Sequence, residues 1–466
     1  MRHIEDGSRS TRGKVKSLSR ALLCCACAAG GVVLSLSGTA GAAPVASRTA
    51  ATQAPVTISY MLWDPNQEIG YKKAIANFQK VYPYIHVNVI QVGFTDYWTK
   101  LATEIAAGNP PDLFWDNLNN FPTYVSEGAL LDVSPLIKKY HINLSDYYQS
   151  LLPLFVYKGQ YYAITKDWDT IGIIYNKNEL KKAGLAAPTN LTWNPTNGGT
   201  LLKYAEALTL DNTGKHPGQA GFNPNKIVQY GFSPGNAGGG FQTGWSNFLE
   251  EDGVTYFSHD KFTYDTSKGD QVFQFLNNLV YKWHVAPPAT VTTQPTYDEA
   301  TDSFSPGNVA MMTDGDWDLA SIASTTKFPW GVAPLPAGPD GIVSATNGLG
   351  INIYAHSKHL PAAELLWAWL TNKSTETLMS DDGYIWGSMP SVDQGYVSYW
   401  AKKGVDVQPF LSEQKGKTFL LGEAPNAQTA YTQMETELNL VFLNKVSVSS
   451  GVSAAVSQAN SALGGA

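Results

Sequence analysis

Charge is scarce, cysteine nearly absent and long apolar runs missing beyond the N-terminal region of this 466-residue chain, and each shortage excludes something. Charged side chains make up 15% of the sequence, against a usual share of about 25%. The 32 basic residues face 39 acidic ones, with no dense basic run after residue 20. Nucleic-acid binding, which draws its affinity from Lys and Arg neutralising phosphates, is excluded. The absence of a spanning apolar stretch after the N-terminal region argues against a membrane protein, and the absence of a fixed-period repeat against a solenoid. Aromatic residues are abundant instead, at 12%, with 13 Trp and 24 Tyr in a chain that is 43% hydrophobic. Such a chain buries a large core and is long enough for two or three domains. Few charges and many rings suit a surface that meets neutral, ring-like ligands.

The N-terminus carries Arg2, Arg9, Arg12, Lys14, Lys16 and Arg20, then an uncharged stretch from Ala21 to Val45 with small residues at Ala40, Ala42 and Ala43. This pattern reads as an export signal over residues 1–42, cleaved near Ala42 or Ala43. Its Gly, Ser, Ala and Thr content is too weakly apolar for a membrane anchor. Cys24, Cys25 and Cys27 all fall inside it, so the exported chain has neither disulfide nor thiolate chemistry. They stand at the start of the uncharged stretch, whereas a lipid-modified cysteine follows it. Cleavage removes six basic and two acidic residues and shifts the formal charge from −7 to −11. Residues 43–55, rich in Ala, Thr, Pro and Ser, read as a flexible leader.

From Val56 the pattern alternates. Val56 to Trp63 has strand propensities, Asp64-Pro-Asn-Gln67 breaks the strand, and Ile69 to Tyr82 has helical spacing. A strand over Ile85 to Val92, a helix over Tyr97 to Ala107 and a short apolar run over Asp112 to Asp116 follow. This order predicts a parallel sheet flanked by helices, with ligands beyond the C-terminal strand ends, where Trp63-Asp64 and Trp115-Asp116-Asn117 stand. Gly231 to Gly244 reads as a mobile loop beside a binding surface, followed by Trp245 and a helix to Glu251. Helices are expected over Lys268 to Trp283 and Ala362 to Leu370 and through most of the chain after Val397, and a strand from Gly331 into a Pro/Gly connector. Trp367 and Trp369 in the apolar helix read as core.

Catalytic signatures are wanting. The exported chain has no phosphate loop and no Gly-x-Gly-x-x-Gly at the first strand-helix junction. The eight His are scattered, and His356 and His359 lack a companion Glu between them. Asp314-Gly-Asp316-Trp-Asp318 imitates a calcium loop but has Leu319 and Thr325 where that loop needs Gly and Glu. Asp167 and Asp169 around Trp168 offer a nominal glycosidase pair, yet alternating strand neighbours share a face and sit close together. Trp faces that stack on sugar C–H surfaces, with Asp and Asn for the hydroxyls, describe a glycan site without chemistry.

Several blocks then fall into a known order: the strand ending in Trp63-Asp64, Ala106-Ala-Gly-Asn-Pro-Pro-Asp-Leu-Phe-Trp115 and Gly128-Ala-Leu-Leu-Asp-Val-Ser-Pro135. Tyr157-Lys-Gly-Gln-Tyr-Tyr-Ala163, Ile174-Tyr-Asn-Lys-Asn-Glu-Leu180, Phe304-Ser-Pro-Gly-Asn-Val-Ala-Met-Met312 and Asn347-Gly-Leu-Gly-Ile-Asn352 continue it. The sequence resembles the extracellular solute-binding proteins of bacterial sugar ABC transporters, the family that includes the maltose-binding protein. The resemblance implies an α/β, two-lobed periplasmic-binding-protein-like fold, each lobe a mostly parallel sheet flanked by helices, with the ligand in the cleft between. Lobe 1 would hold residues 56–166 plus 343–387 and lobe 2 residues 168–335 plus 390–466. It also implies a monomeric exported receptor, not an enzyme, that needs no cofactor or metal, closes on a mono- or oligosaccharide and delivers it to permease subunits.

Carried over by motif, the ligand-binding residues would be Trp63, Asp64, Trp115, Asp116, Asn117 and Asp169, joined by Trp245, Trp317, Trp386 and Tyr431. Two departures weaken any likeness to maltose recognition: Thr192-Trp-Asn-Pro-Thr196 stands where the family has Trp-Asp-Glu, and no Arg clamp accompanies Trp115. The alternatives are a secreted glycoside hydrolase or lyase using Asp169, a receptor for a polyamine, metal chelate or peptide, and an adhesion module. A polyamine would need more cleft carboxylates than these motifs supply.

Overall fold

The computed structural model describes residues 53–294 and 297–464. The expected export signal, its three cysteines and the leader up to residue 52 lie outside the described residues.

The chain begins as the alternation requires. Strand β1 (Val56–Leu62) buries Ile58, Tyr60, Met61 and Leu62. It ends where Asp64 turns its carboxylate onto the N–H groups of Asn66 at 2.7 Å and Gln67 at 3.2 Å, capping helix α1 (Pro65–Val81). Pro65 occupies the first helical position, where no backbone donor is missed, so the helix starts four residues before the apolar periodicity does. Then come β2 (Ile85–Gln91), α2 (Phe94–Ala106), β3 (Leu113–Asn117) and α3 (Phe121–Ser126). The first crossing is β4 (Thr165–Asn176), and α4 (Trp245–Glu251) and α5 (Ser267–Tyr281) follow. Next are β5 (Met311–Gly315), α6 (Leu319–Thr325), β6 (Trp330–Ala333) and the second crossing, β7 (Ser344–Ile353). Helix α7 (Leu360–Leu370), β8 (Trp386–Gly387), β9 (Thr418–Leu420), α8 (Ala427–Phe442) and α9 (Val448–Leu463) complete the set used below.

Among the described residues these nine strands form one sheet, in the order β5-β4-β7-β3-β1-β2, with β6 and β8 also on β4 and β9 on β7. β1 runs parallel to both β2 and β3, as the strand-helix alternation predicts. The crossing strands differ: β7 is antiparallel to β3 and to β4, and β4 is antiparallel to β5 and β6, so the sheet is mixed. Leu349 of β7 stands opposite Asp167 while the next residue, Gly350, stands opposite Thr165. Lys166 is therefore the extra residue of a bulge in β4, a device that re-aims side chains locally.

Two hydrophobic cores flank the far half of the sheet. Side chains of successive strand residues point to opposite faces, and Ile171, Ile173 and Tyr175 join one core while Ile174 joins the other. Met311 and Met312 divide in the same way, as do Ala333 and Val332. Trp367, expected as core, is fully buried, with its indole N–H on the Ile351 carbonyl at 3.0 Å. Among the described residues no helix is long and apolar enough to cross a membrane.

Candidate ligand cleft

The sheet brings its chemistry together where β1 and β3 end and β4 crosses. Trp63 packs edge-on against Trp115, with ring centroids 4.9 Å apart, and against Tyr97 at 5.0 Å. The Lys166 ammonium lies 3.9 Å from the centre of the Trp115 ring, donates to Gln67 Oε1 at 3.1 Å and pairs with Asp167 Oδ2. The bulge lets Lys166 and Asp167, neighbours in sequence, meet. Lys166 is 1% exposed and Asp167 5%, so the pair is buried, and Asp167 Oδ1 has no partner among the described residues. Burial raises the Asp167 pKa above the usual carboxylate range, against the opposing pull of Lys166.

Asp169, one pleat further along β4, stands opposite Asn347 in register. Its Oδ1 accepts from Asn347 N–H at 3.0 Å and from the Gln242 side-chain amide at 2.8 Å. Gln242 belongs to the Gly-rich loop, which is built for close approach. A Cβ on Gly238 would lie 2.8 Å from the Glu435 carbonyl oxygen, and one on Gly240 only 2.2 Å from that of Asn236. Asn347 Oδ1 is buried without a partner.

The third contribution follows β5. Asp314, Asp316 and Asp318, which fail as a calcium loop, reach this region with Trp317, whose ring folds back over Gly315 where a Cβ would meet it at 2.1 Å. Asp316 accepts from the Thr170 N–H at 3.3 Å. Burial and then the neighbouring Asp169 and Asp167 hold its pKa well above the ordinary carboxylate range. Asp169 is raised by burial and then by Asp167, while Asp318 is pushed to about 7 by burial, then by Asp298 and Asp64. Asp64 thus acts on Asp167 and Asp318, and Asp167 on Asp169 and Asp316. Asn66 Nδ2 donates to Ser321 Oγ at 3.1 Å, and Asn426 N–H donates to Thr123 Oγ1 at 3.1 Å.

Of the residues singled out from sequence, Trp63, Asp64, Asp169 and Trp317 are only partly buried, Trp63 packed against the first core and Trp317 against the second. The other six, Trp115, Asp116, Asn117, Trp245, Trp386 and Tyr431, are buried in this structure. Trp115 is fully buried, with its N–H on the Tyr60 hydroxyl and one face under Lys166. Asp116 is enclosed at the end of β3 with its pKa raised by burial, and Asn117 turns its Oδ1 onto Asn120 N–H at 3.2 Å. Trp245 sits in the second core against Tyr256, Tyr264 and Phe273. Trp386 stacks on Trp168 at 5.0 Å, behind the Asp167 and Asp169 positions. Tyr431 stacks at 4.4 Å on Phe241, the neighbour of Gln242. Sequence reading identified large rings near strand ends but had no means of telling a ring facing a cleft from one backing it. It passed over Gln67, Lys166, Gln242 and Asn347, and it set aside Asp167, Asp316 and Asp318 as parts of failed catalytic and metal motifs. Those motifs were the available signal.

The chain belongs to the family of bacterial extracellular solute-binding proteins, whose model matches residues 73–407. It is 23% identical over 323 residues to the multiple sugar-binding protein of Streptococcus mutans, across 68% of this chain and 71% of that protein. The structure of UspC from M. tuberculosis superposes with a TM-score of 0.69 at 27% identity, covering 87% of this chain and 100% of that one. An ABC substrate-binding protein of Listeria monocytogenes, solved in complex with cycloalternan, superposes at 0.76 with 21% identity over 88% and 99% of the two chains. The fold is accordingly the two-lobed α/β fold of binding proteins, with a mixed sheet.

Proposed function

We propose that this protein is an exported carbohydrate receptor of an ABC importer, which closes on a mono- or oligosaccharide and presents it unchanged to membrane permease subunits. The reading is carried by one set of partly exposed residues: Trp63 and Asp64 at the end of β1, Asp169 on the crossing strand, and Trp317 next in sequence to Asp316. Rings offer faces for sugar C–H surfaces, and carboxylates accept from hydroxyls. The relatives named for sugar binding, and the solved complex with cycloalternan, support a saccharide over other solutes.

In this account residues 56–166 plus 343–387 form one lobe and 168–335 plus 390–466 the other. β4 and β7 are the links about which the lobes move, because these two strands pair with elements on both sides. Trp115, Asp116, Asn117, Trp245, Trp386 and Tyr431 hold the contact residues from behind. Residues 1–42 direct export and are removed, and the exported chain acts as a monomer.

Titration of the chain from Ala43 onward with mono-, di- and oligosaccharides, read by tryptophan fluorescence and melting temperature, tests this. A ligand at about 100 times its dissociation constant adds about 2.7 kcal/mol of stability. A saturable shift with the sugar recovered intact is the expected outcome. Turnover of the sugar, abolished in Asp169→Asn, would establish a hydrolase instead.

A further inference from the structure

Phe94 stands out among the aromatic residues. Among the described residues it is the only Phe or Trp that is largely exposed, at 55%, while every other such ring is buried or half-buried. A lone exposed apolar residue is ordinary, but this ring continues a packed cluster. Its centroid lies 5.7 Å from that of Trp63 and 5.9 Å from that of Trp98, and Trp63 and Trp98 are 5.3 Å apart. An exposed ring that extends such a cluster is the mark of a surface that binds.

Topology sets this ring beside the candidate ligand residues. β1 and β2 are parallel and paired from Val56–Ile85 to Leu62–Gln91, so they end together, with Trp63 and Asp64 following one and Val92 to Phe94 the other. The Val92 N–H donates to the Leu62 carbonyl at 3.0 Å and the Gln91 side-chain amide to the Trp63 carbonyl at 2.7 Å, which fixes the two ends side by side. Ligands of open α/β sheets sit beyond these C-terminal ends. β2 is the outermost strand of the main path on this side, and a Cβ built on Gly93 would meet nothing within 4 Å, so there is room next to Phe94. A second, independent feature points to a ligand. Trp98, in contact with both rings, is 7% exposed, and its indole N–H has no acceptor among the described residues. A buried donor of that kind is costly unless a ligand group accepts from it.

The planes of Trp63 and Phe94 meet at 74°, so one pyranose cannot lie flat on both. We infer that the cleft takes an oligosaccharide in preference to a free monosaccharide, with one unit on Trp63 and Asp64 and the next laid on the exposed face of Phe94, where a hydroxyl accepts from Trp98. A Phe ring offers neither charge nor a hydrogen bond, and the C–H face of a neutral sugar is what it recognises. The inference rests on the receptor reading above and specifies the length of the ligand and the residue that selects it.

Calorimetry on the chain from Ala43 onward tests this with glucose, mannose, galactose and xylose, each beside its di- and trisaccharides. In the series that binds, the oligosaccharides should bind about tenfold tighter than their monosaccharide, the gain expected of one aromatic stack. Phe94→Ala should abolish that gain, leave monosaccharide binding unchanged and keep the melting midpoint, because the residue is already largely in water. Phe94→Tyr should retain the gain, and Phe94→Leu, apolar but without a flat ring, should lose it; this pair decides the matter if the Ala variant melts early. A monosaccharide bound as tightly as its oligomers, or a Phe94→Ala chain whose affinities are unchanged or fall equally across the series, overturns the inference and leaves the sugar receptor standing. No binding by the unaltered chain in any series overturns the receptor reading itself.

Discussion

The Lys166–Asp167 pair sets the character of the cleft. Both side chains are removed from water, and Asp167 remains acceptable there because the ammonium offsets it. Removing one partner of a buried pair leaves an uncompensated charge and typically costs about 3–5 kcal/mol. Lys166→Met should therefore lose stability on that order in denaturant unfolding at pH 7.5, and the loss should be smaller at pH 5, since burial raises the Asp167 pKa and lower pH favours its neutral form. Equal losses at both pH values would mean that packing on Trp115, rather than charge, is what Lys166 provides. At this scale the sequence was only half legible. Trp63-Asp64 could be put at a strand end because the apolar pattern stops there, whereas Asp169 came only from the family resemblance. The partnership of Lys166 with Asp167 was not, because adjacent residues on a regular strand face opposite ways and nothing in the sequence marks the bulge.

Elements came through more clearly. The strands and helices from Val56 to Asn117 appear where alternation and helical spacing put them, since each buries one face and the pattern records it. Helix starts moved earlier, at Pro65 and at Phe94, because the first turn is fixed by Asp64 in one case and begins at an exposed ring in the other. What periodicity could not give was strand direction. β7 returns antiparallel between β3 and β4, a long-range pairing that no local pattern encodes. The short β8, held to β4 by pairing Trp386 with Trp168, depends on the stack between those two rings. Trp386→Ala should cost about 3–5 kcal/mol, as large-to-small core changes do, and should weaken ligand binding through misplacement of Asp167 and Asp169. A variant with full stability and weakened binding would instead make Trp386 a direct ligand contact, as the sequence suggested.

The whole molecule carries an unusual load of buried acids, and its pH response follows. Glu376 and Glu413 are pushed up to about 8 and Asp318, Glu299 and Glu423 to about 7, with burial the leading cause in each. Unfolded carboxyls titrate near 4, so between about pH 4.5 and 8 the folded chain holds more protons than the unfolded one. Stability then falls as pH rises through that window. Melting curves of the exported chain without ligand should show a higher midpoint at pH 5.5 than at pH 8. A midpoint that climbs with pH would mean that these acids are better solvated than their burial implies.

The central claim, that the cleft captures a carbohydrate and leaves it intact, is tested most directly by native mass spectrometry of the chain from Ala43 onward after incubation with a saccharide mixture. The account predicts one saccharide per protein, with the mass of the free sugar, lost on collisional activation and displaced by excess of the same compound. A bound mass corresponding to a cleaved or covalently held sugar, or the absence of any one-to-one adduct across the mixture, would contradict it.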